Sequence, residues 1–240
     1  MGEEKRKVRT MKKIIILHGW TKNLDKWSIL IKELEKKGVS VELLRIPALT
    51  KELKKVWGIE DYVSWLSNIA NKKGEKIILI GHSNGGKIAL SFAKSFPQKI
   101  EKLILIDSAG IYHNELRLRL KRLIFKLAAK AGKKITSSEK MKNLLYKIAG
   151  ESDYKDLDDK TKQTMINLIS VDLKPILPQI KIPTLIIWGA DDRITPLSDG
   201  ILMNELIKNS ELKIIKNARH SPQFTDAEEV SEIITKYLTA

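Results

Sequence analysis

Short runs of aliphatic and β-branched residues alternate along the chain with longer segments whose apolar positions recur every three or four residues. The runs are Ile14–Leu17, Val39–Leu44, Ile77–Ile80, Leu103–Ile106, Thr184–Trp188 and Leu212–Ile215. Most are apolar at every position, as in parallel strands covered on both faces rather than strands with one wet face. The periodic segments are 24–37, 59–71, 85–96, 197–208 and 227–237, each long enough for an amphipathic helix. Strand then helix at this spacing predicts βαβ units, hence an α/β fold with a doubly wound, mostly parallel sheet of about six strands.

One stretch breaks the rhythm. From Ile111 to about Pro175 no strand is predicted, only helix-like pieces rich in Leu and Lys. A connection that long in a compact domain reads as an inserted helical cap, residues 111–175, between core segments 11–110 and 176–240. Leu116, Leu120, Leu123, Ile124 and Leu127 form an apolar stripe at helical spacing, and Arg117, Arg119, Lys121, Arg122, Lys126 and Lys130 share that segment. The stripe suits packing on the core, and the basic flank leaves open an acidic ligand or a membrane surface. Residues 1–10 are basic and read as an N-terminal extension, because Met11 followed by Lys-Lys-Ile resembles a start of its own. The apolar run after them is too short for a secretory signal.

Composition narrows the classes. With 240 residues, 42% hydrophobic and 30% charged, the chain can bury a core of one domain, and it has no apolar run of membrane-spanning length. The absence of Cys excludes disulfides, thiolate catalysis and Cys-ligated zinc or iron–sulfur clusters, and it fits a cytoplasmic protein. Forty-four Lys and Arg against 29 Asp and Glu give a formal charge of +15. Most of the lysines alternate with glutamates on helical segments such as 32–37, which is how a solvated face reads, so neither nucleic-acid binding nor stable membrane association is expected. Oligomeric state is not legible.

A Gly-rich turn between a strand and a helix, Gly81-His82-Ser83-Asn84-Gly85-Gly86-Lys87, carries the chemistry. Read as G-x-x-x-x-G-K it imitates a phosphate-cradling loop. Such a loop needs Ser or Thr after the lysine to hold Mg²⁺, and Ile88 has no oxygen to offer. Read as G-x-S-x-G it is a nucleophile elbow, which exposes a serine hydroxyl at a strand's C-terminal end beside a helix N-terminus.

A serine hydroxyl attacks carbonyl carbon only if an imidazole takes its proton and a carboxylate orients that imidazole. Of four histidines, His18 follows the first strand and suits shaping that loop. His82 adjoins Ser83 and should point away from it, and His113 opens the cap. His220 follows the last strand at the same end of the sheet as Ser83 and is the expected base. The loop after the fifth strand offers Asp191 and Asp192 as acids, and Asp107 ends the fourth strand. Backbone N–H groups of Trp20, after the first strand, and Asn84, after the serine, are the expected donors to an oxyanion. The indole of Trp20 suits either lining the pocket or packing under the cap.

The chain resembles the α/β-hydrolase superfamily. The likeness rests on His18-Gly19-Trp20, Gly81-His-Ser83-Asn-Gly85-Gly86, Gly189-Ala-Asp-Asp192-Arg-Ile-Thr-Pro196 and Arg219-His220-Ser-Pro222, four motifs in order from about residue 12 to the C-terminus. It implies Ser83 as nucleophile, Asp192 as orienting acid, His220 as base, Trp20 and Asn84 as oxyanion donors, and no cofactor or metal. The family's initial antiparallel hairpin is not expected, since only about a dozen residues precede the first strand. Asn84 stands where relatives often carry Met, Leu or Gln. The expected activity is hydrolysis of a small-molecule carboxylic ester through an acyl-enzyme. Lactonase, thioesterase, amidase, perhydrolase or C–C bond hydrolase chemistry with the same residues is the alternative, and a non-catalytic ligand receptor on the same scaffold is a remoter one.

Overall fold

The computed structural model describes residues 14–21, 23–48, 53–112 and 158–240. The expected N-terminal extension, His113, the leucine stripe and most of the expected cap (113–157) lie outside the described residues. The order of elements is β1 (Ile14–Leu17), α1 (Trp27–Lys36), β2 (Val41–Leu44), α2 (Ile59–Lys73), β3 (Ile77–His82), α3 (Asn84–Ser95) and β4 (Ile100–Ile106). There follow α4 (Asp159–Ile169), a 3₁₀ segment at Lys174–Gln179, β5 (Thr184–Gly189), α5 (Leu197–Leu206), β6 (Ser210–Ile215), a short helix α6 (Pro222–Thr225) and α7 (Ala227–Thr239).

The six strands form one open sheet in the order β2-β1-β3-β4-β5-β6, and every pairing is parallel. Alternate residues of the all-apolar strands enter two separate cores, as a period of two requires. Ile15, Leu17, Leu79, Leu103, Leu105 and Trp188 pack with α2, α3 and α5, whereas Ile16, Ile78, Ile80, Ile104, Leu185 and Ile187 pack with α1 and α7. Both faces are therefore covered, which is why the strands could be apolar at every position.

Where the structure departs from the expected boundaries, backbone hydrogen bonding explains it. Val39 is not in β2, because its N–H closes the end of α1 on the carbonyl of Leu34 at 2.9 Å. α1 begins at Trp27 rather than Leu24, after a turn in which the N–H of Asp25 donates to Asn23 Oδ1 at 2.8 Å. β4 starts at Ile100 and β6 at Ser210, so both strands include polar residues that a search for apolar runs passes over. Asp158 caps α4: its carboxylate accepts the N–H groups of Lys160 and Thr161 at 2.9 and 3.0 Å. Among the described residues no helix is long and apolar enough to cross a membrane.

This topology sets the site. After β1 the chain leaves for β2 on one side, and after β3 it leaves for β4 on the other. The loops following β1 and β3 diverge at the C-terminal ends of two neighbouring strands, where open α/β sheets form their binding crevice.

Candidate active site

Ser83 joins β3 to α3 with φ 53° and ψ −121°, a conformation that strains any residue but glycine. Tight packing holds it there. The Ser83 N–H donates to the carbonyl of Ile106 at 3.2 Å, and its own carbonyl accepts from Gly86 at 3.0 Å and Ala109 at 3.0 Å. A side chain at Gly85 would overlap the carbonyl oxygens of Leu17 and His18, so only glycine lets the first turn of α3 press against β1.

Ser83 faces a relay of hydrogen bonds. Its Oγ lies 3.1 Å from His220 Nε2, and His220 Nδ1 lies 2.7 Å from Asp192 Oδ2. The carboxylate fixes the tautomer: Nδ1–H donates to Asp192, which leaves Nε2 free to accept the serine proton. The Asp192 side chain is 0% exposed and that of His220 is 16% exposed. Burial alone would raise the Asp192 carboxyl, but His220, the Thr195 hydroxyl and the Ile194 N–H outweigh it and hold the group below the usual carboxylate range. Asp192 Oδ1 accepts the N–H groups of Ile194 and Thr195 at 2.7 and 3.1 Å, and Oδ2 accepts the Thr195 hydroxyl at 2.6 Å.

The other two expected acids take no part in this relay. Asp191 is exposed, with its N–H donated to the carbonyl of Ala218 at 2.8 Å. Asp107 is fully buried and accepts the Gly189 N–H at 2.8 Å through Oδ1.

The loop after β1 runs beside the serine: a Cβ on Gly19 would stand 3.0 Å from Ser83 Cβ. His18 shapes this loop. It is buried, its Nδ1–H donates to the Gly19 carbonyl at 2.6 Å, and its Nε2 accepts the Ile46 N–H at 3.2 Å. Burial above all holds His18 below the usual imidazole range, as that donor and acceptor pattern of a neutral ring requires. Trp20 is half-buried and packs on the core face shared with α2 and α3. Asn84 opens α3, where the N–H has no acceptor within its own helix.

Sequence reasoning missed the contacts of three residues. His82, next to Ser83 in sequence, is set against His220. Its Nε2–H donates to the His220 carbonyl at 2.8 Å, and the two ring centroids are 5.0 Å apart. Burial, then the nearby His220, bring its pKa down to about 3, so it stays neutral and remains a donor. Thr195 clamps the acid, and the signal was present: an Asp followed two and three residues on by the N–H groups it accepts is an Asx-type turn. Lys87, the lysine of the rejected phosphate-loop reading, is buried and donates to the carbonyls of Leu168 at 2.9 Å and Val171 at 2.8 Å. It thus ties the end of α4 to the helix that starts at the serine.

Among the described residues one group could gather a metal ion, His82, Asp107 and His220, with one donor atom of each within 4.8 Å of the others. Both ring nitrogens of His220 and Nε2 of His82 already hold hydrogen bonds. A cation taken up by either nitrogen of His220 or by Nε2 of His82 would displace those bonds.

Comparison with known proteins agrees with this architecture. The profile of the hydrolase family described as serine aminopeptidase, S33, matches residues 58–226. A 2-hydroxy-6-oxononadienedioate/2-hydroxy-6-oxononatrienedioate hydrolase of Paraburkholderia xenovorans is 28% identical, over 68% of this chain and 62% of its own length. The chain therefore spans less than two thirds of that relative. Lipase 1 of Psychrobacter immobilis is 22% identical over 91% of this chain and 74% of its own. A thermophilic esterase from Thermogutta terrifontis superposes with a TM-score of 0.70 at 21% identity, over 95% of this chain and 89% of the esterase.

Proposed function

Because the chain belongs to this serine aminopeptidase S33 family, within the α/β-hydrolase superfamily, we propose that it is a serine hydrolase acting on carboxylic esters of small molecules. The observation that carries the reading is the continuous relay from Ser83 Oγ through His220 to Asp192, at 3.1 and 2.7 Å. In the first step His220 Nε2 takes the hydroxyl proton as Ser83 Oγ bonds to the acyl carbon. Asp192 stabilises the imidazolium without itself taking the proton. The negative charge on the former carbonyl oxygen falls to the N–H groups of Trp20 and Asn84, aided by the N-terminus of α3. His220 then protonates the departing alcohol, and water activated by the same imidazole releases the acid and regenerates Ser83.

The likeness to a hydrolase of a 2-hydroxy-6-oxo acid supports a second reading, in which the bond cleaved is C–C and the leaving group a carbanion rather than an alkoxide. One experiment separates these. A panel of p-nitrophenyl esters of increasing acyl length is assayed beside lactones, acyl thioesters, an aminoacyl p-nitroanilide and a 2-hydroxy-6-oxo dienoic acid. Ester turnover that Ser83→Ala and His220→Ala each nearly abolish, in folded variants, is the expected outcome. Turnover of the dienoate alone selects the second reading. Failure of a fluorophosphonate to label Ser83 in the folded protein removes both.

A further inference from the structure

Asp107 has no part in the relay just described, yet its surroundings point into it. It ends β4, between the strand that leads to Ser83 and the strand that leads to Asp192. It is 0% exposed, and its backbone is held at φ 41°. Oδ1 accepts the Gly189 N–H, but Oδ2 is buried with no hydrogen-bond partner among the described residues. An orphaned buried oxygen is destabilising and calls for a functional or chemical reason. A carboxyl oxygen of Asp107 lies within 4.8 Å of ring nitrogens of both His82 and His220.

We propose that Asp107 is a second, titratable acid of the centre, a positioning residue that acts through His220. Protonated, it contributes no charge. Ionised, it adds a negative charge facing the imidazole and stabilises the imidazolium formed when Ser83 gives up its proton. The inference rests on the serine-hydrolase reading. The proton of the catalytic step still travels only from Ser83 Oγ to His220 Nε2, and Asp107 exchanges its own proton with solvent.

The groups that face it set the pH at which it acts. Among the described residues these are His82 on β3, the Gly189 N–H at the end of β5, Asp192 in the loop after it, and His220 after β6. His82 stays neutral, which leaves His220 as the group among them on which positive charge develops. Burial pushes the Asp107 carboxyl up to about 8, with the Gly189 N–H opposing and the charge of Asp192 assisting. Removal of the Asp192 charge therefore moves Asp107 ionisation to lower pH.

Asp192→Asn and the double variant Asp192→Asn/Asp107→Asn test this on the full chain with the best ester of the panel. Asparagine keeps the carbonyl that accepts the Gly189 N–H, so both variants retain that bond. At pH 6 the two should show equal residual turnover. At pH 9 the single variant should exceed the double by about tenfold, the scale of one added charge near an imidazolium in a shielded site. Infrared difference spectra of the same proteins follow the protonated Asp107 carboxyl without turnover. The band should vanish near pH 8 in the parent protein, at lower pH in Asp192→Asn, and be missing from the double variant. Equal turnover at both pH values overturns the proposal, and so does an equal gap at both, which assigns Asp107 a structural part only. Absence of all turnover in the parent protein, with the infrared titration intact, instead sinks the serine-hydrolase reading.

Discussion

His82 shows how a residue next to the proposed nucleophile in sequence acts on the proposed base instead. Its neutral ring holds the carbonyl of His220 at 2.8 Å and is itself wedged by Trp27 and Phe224, whose ring centroids lie 6.0 and 6.4 Å away. His82→Ala removes the donor and should lower kcat about 10²-fold with little change in KM, the scale of a misplacement of about 1 Å in a catalytic group. His82→Gln, which can still offer an N–H, should recover part of the loss. An unchanged kcat in His82→Ala removes His82 from the positioning of His220. Thr195 belongs to the same scale: its one hydroxyl lies 2.6 Å from Asp192 Oδ2 and 3.2 Å from His220 Nδ1 and so touches acid and imidazole together.

Among the elements, α3 carries the most. Its N-terminus starts at Ser83, Gly85 seats it on β1 and Gly86 on Ser108 after β4, and its buried Lys87 receives the end of α4. A lysine ammonium at a helix C-terminus meets both the unsatisfied carbonyls and the negative end of the dipole. α4 is also stitched to the loop before α2, since the Trp57 N–H donates to Thr164 Oγ1 at 2.9 Å and Asn167 Nδ2 donates to the Trp57 carbonyl at 3.0 Å. Lys87→Met keeps the buried stem and deletes the charge. It should cost about 1–3 kcal/mol, the scale of losing hydrogen bonds from a charged donor to backbone carbonyls. Hydrogen exchange should quicken at residues 159–171 before it does in the sheet. Unchanged protection there would show that the helix stands without the ammonium.

The molecule as a whole carries opposing protonation demands. His82, brought down to about 3, and His18, also lowered, stay neutral when folded. The unfolded chain protonates its histidines near 6.5, so their contribution to stability is lost as pH falls below that value. Asp107 acts in the reverse sense. Its folded value of about 8 exceeds the unfolded value of 3.8, so folding is favoured while it is protonated in both states and is penalised as pH rises between those limits. Asp107→Asn should therefore gain stability relative to the parent protein by about 1.4 kcal/mol per pH unit between roughly pH 4 and 8. Denaturant titrations at four pH values measure it, and a difference independent of pH would mean that Asp107 is not protonated in the folded chain. The formal charge of +15 adds a general self-repulsion, against which the described residues set scattered surface pairs such as Lys55–Asp61 at 2.6 Å.

By itself the sequence determined the layers and offered candidates for the chemistry. All-apolar runs separated by amphipathic segments admit a covered parallel sheet, and the elbow of Ser83 with a histidine after the last strand points to a candidate nucleophile and a candidate base, because both patterns are local. It left Asp107, Asp191 and Asp192 in competition from residues alone, and likeness to a family was needed to favour one. It was silent on His82 beside His220 and on Lys87 at the end of α4. Those contacts join residues separated by 138 and 81 positions, and no periodicity records which loops the strand order brings together. Only the folded sheet decides them, since it sets the ends of β3, β4 and β5 side by side and turns three distant loops onto one rim.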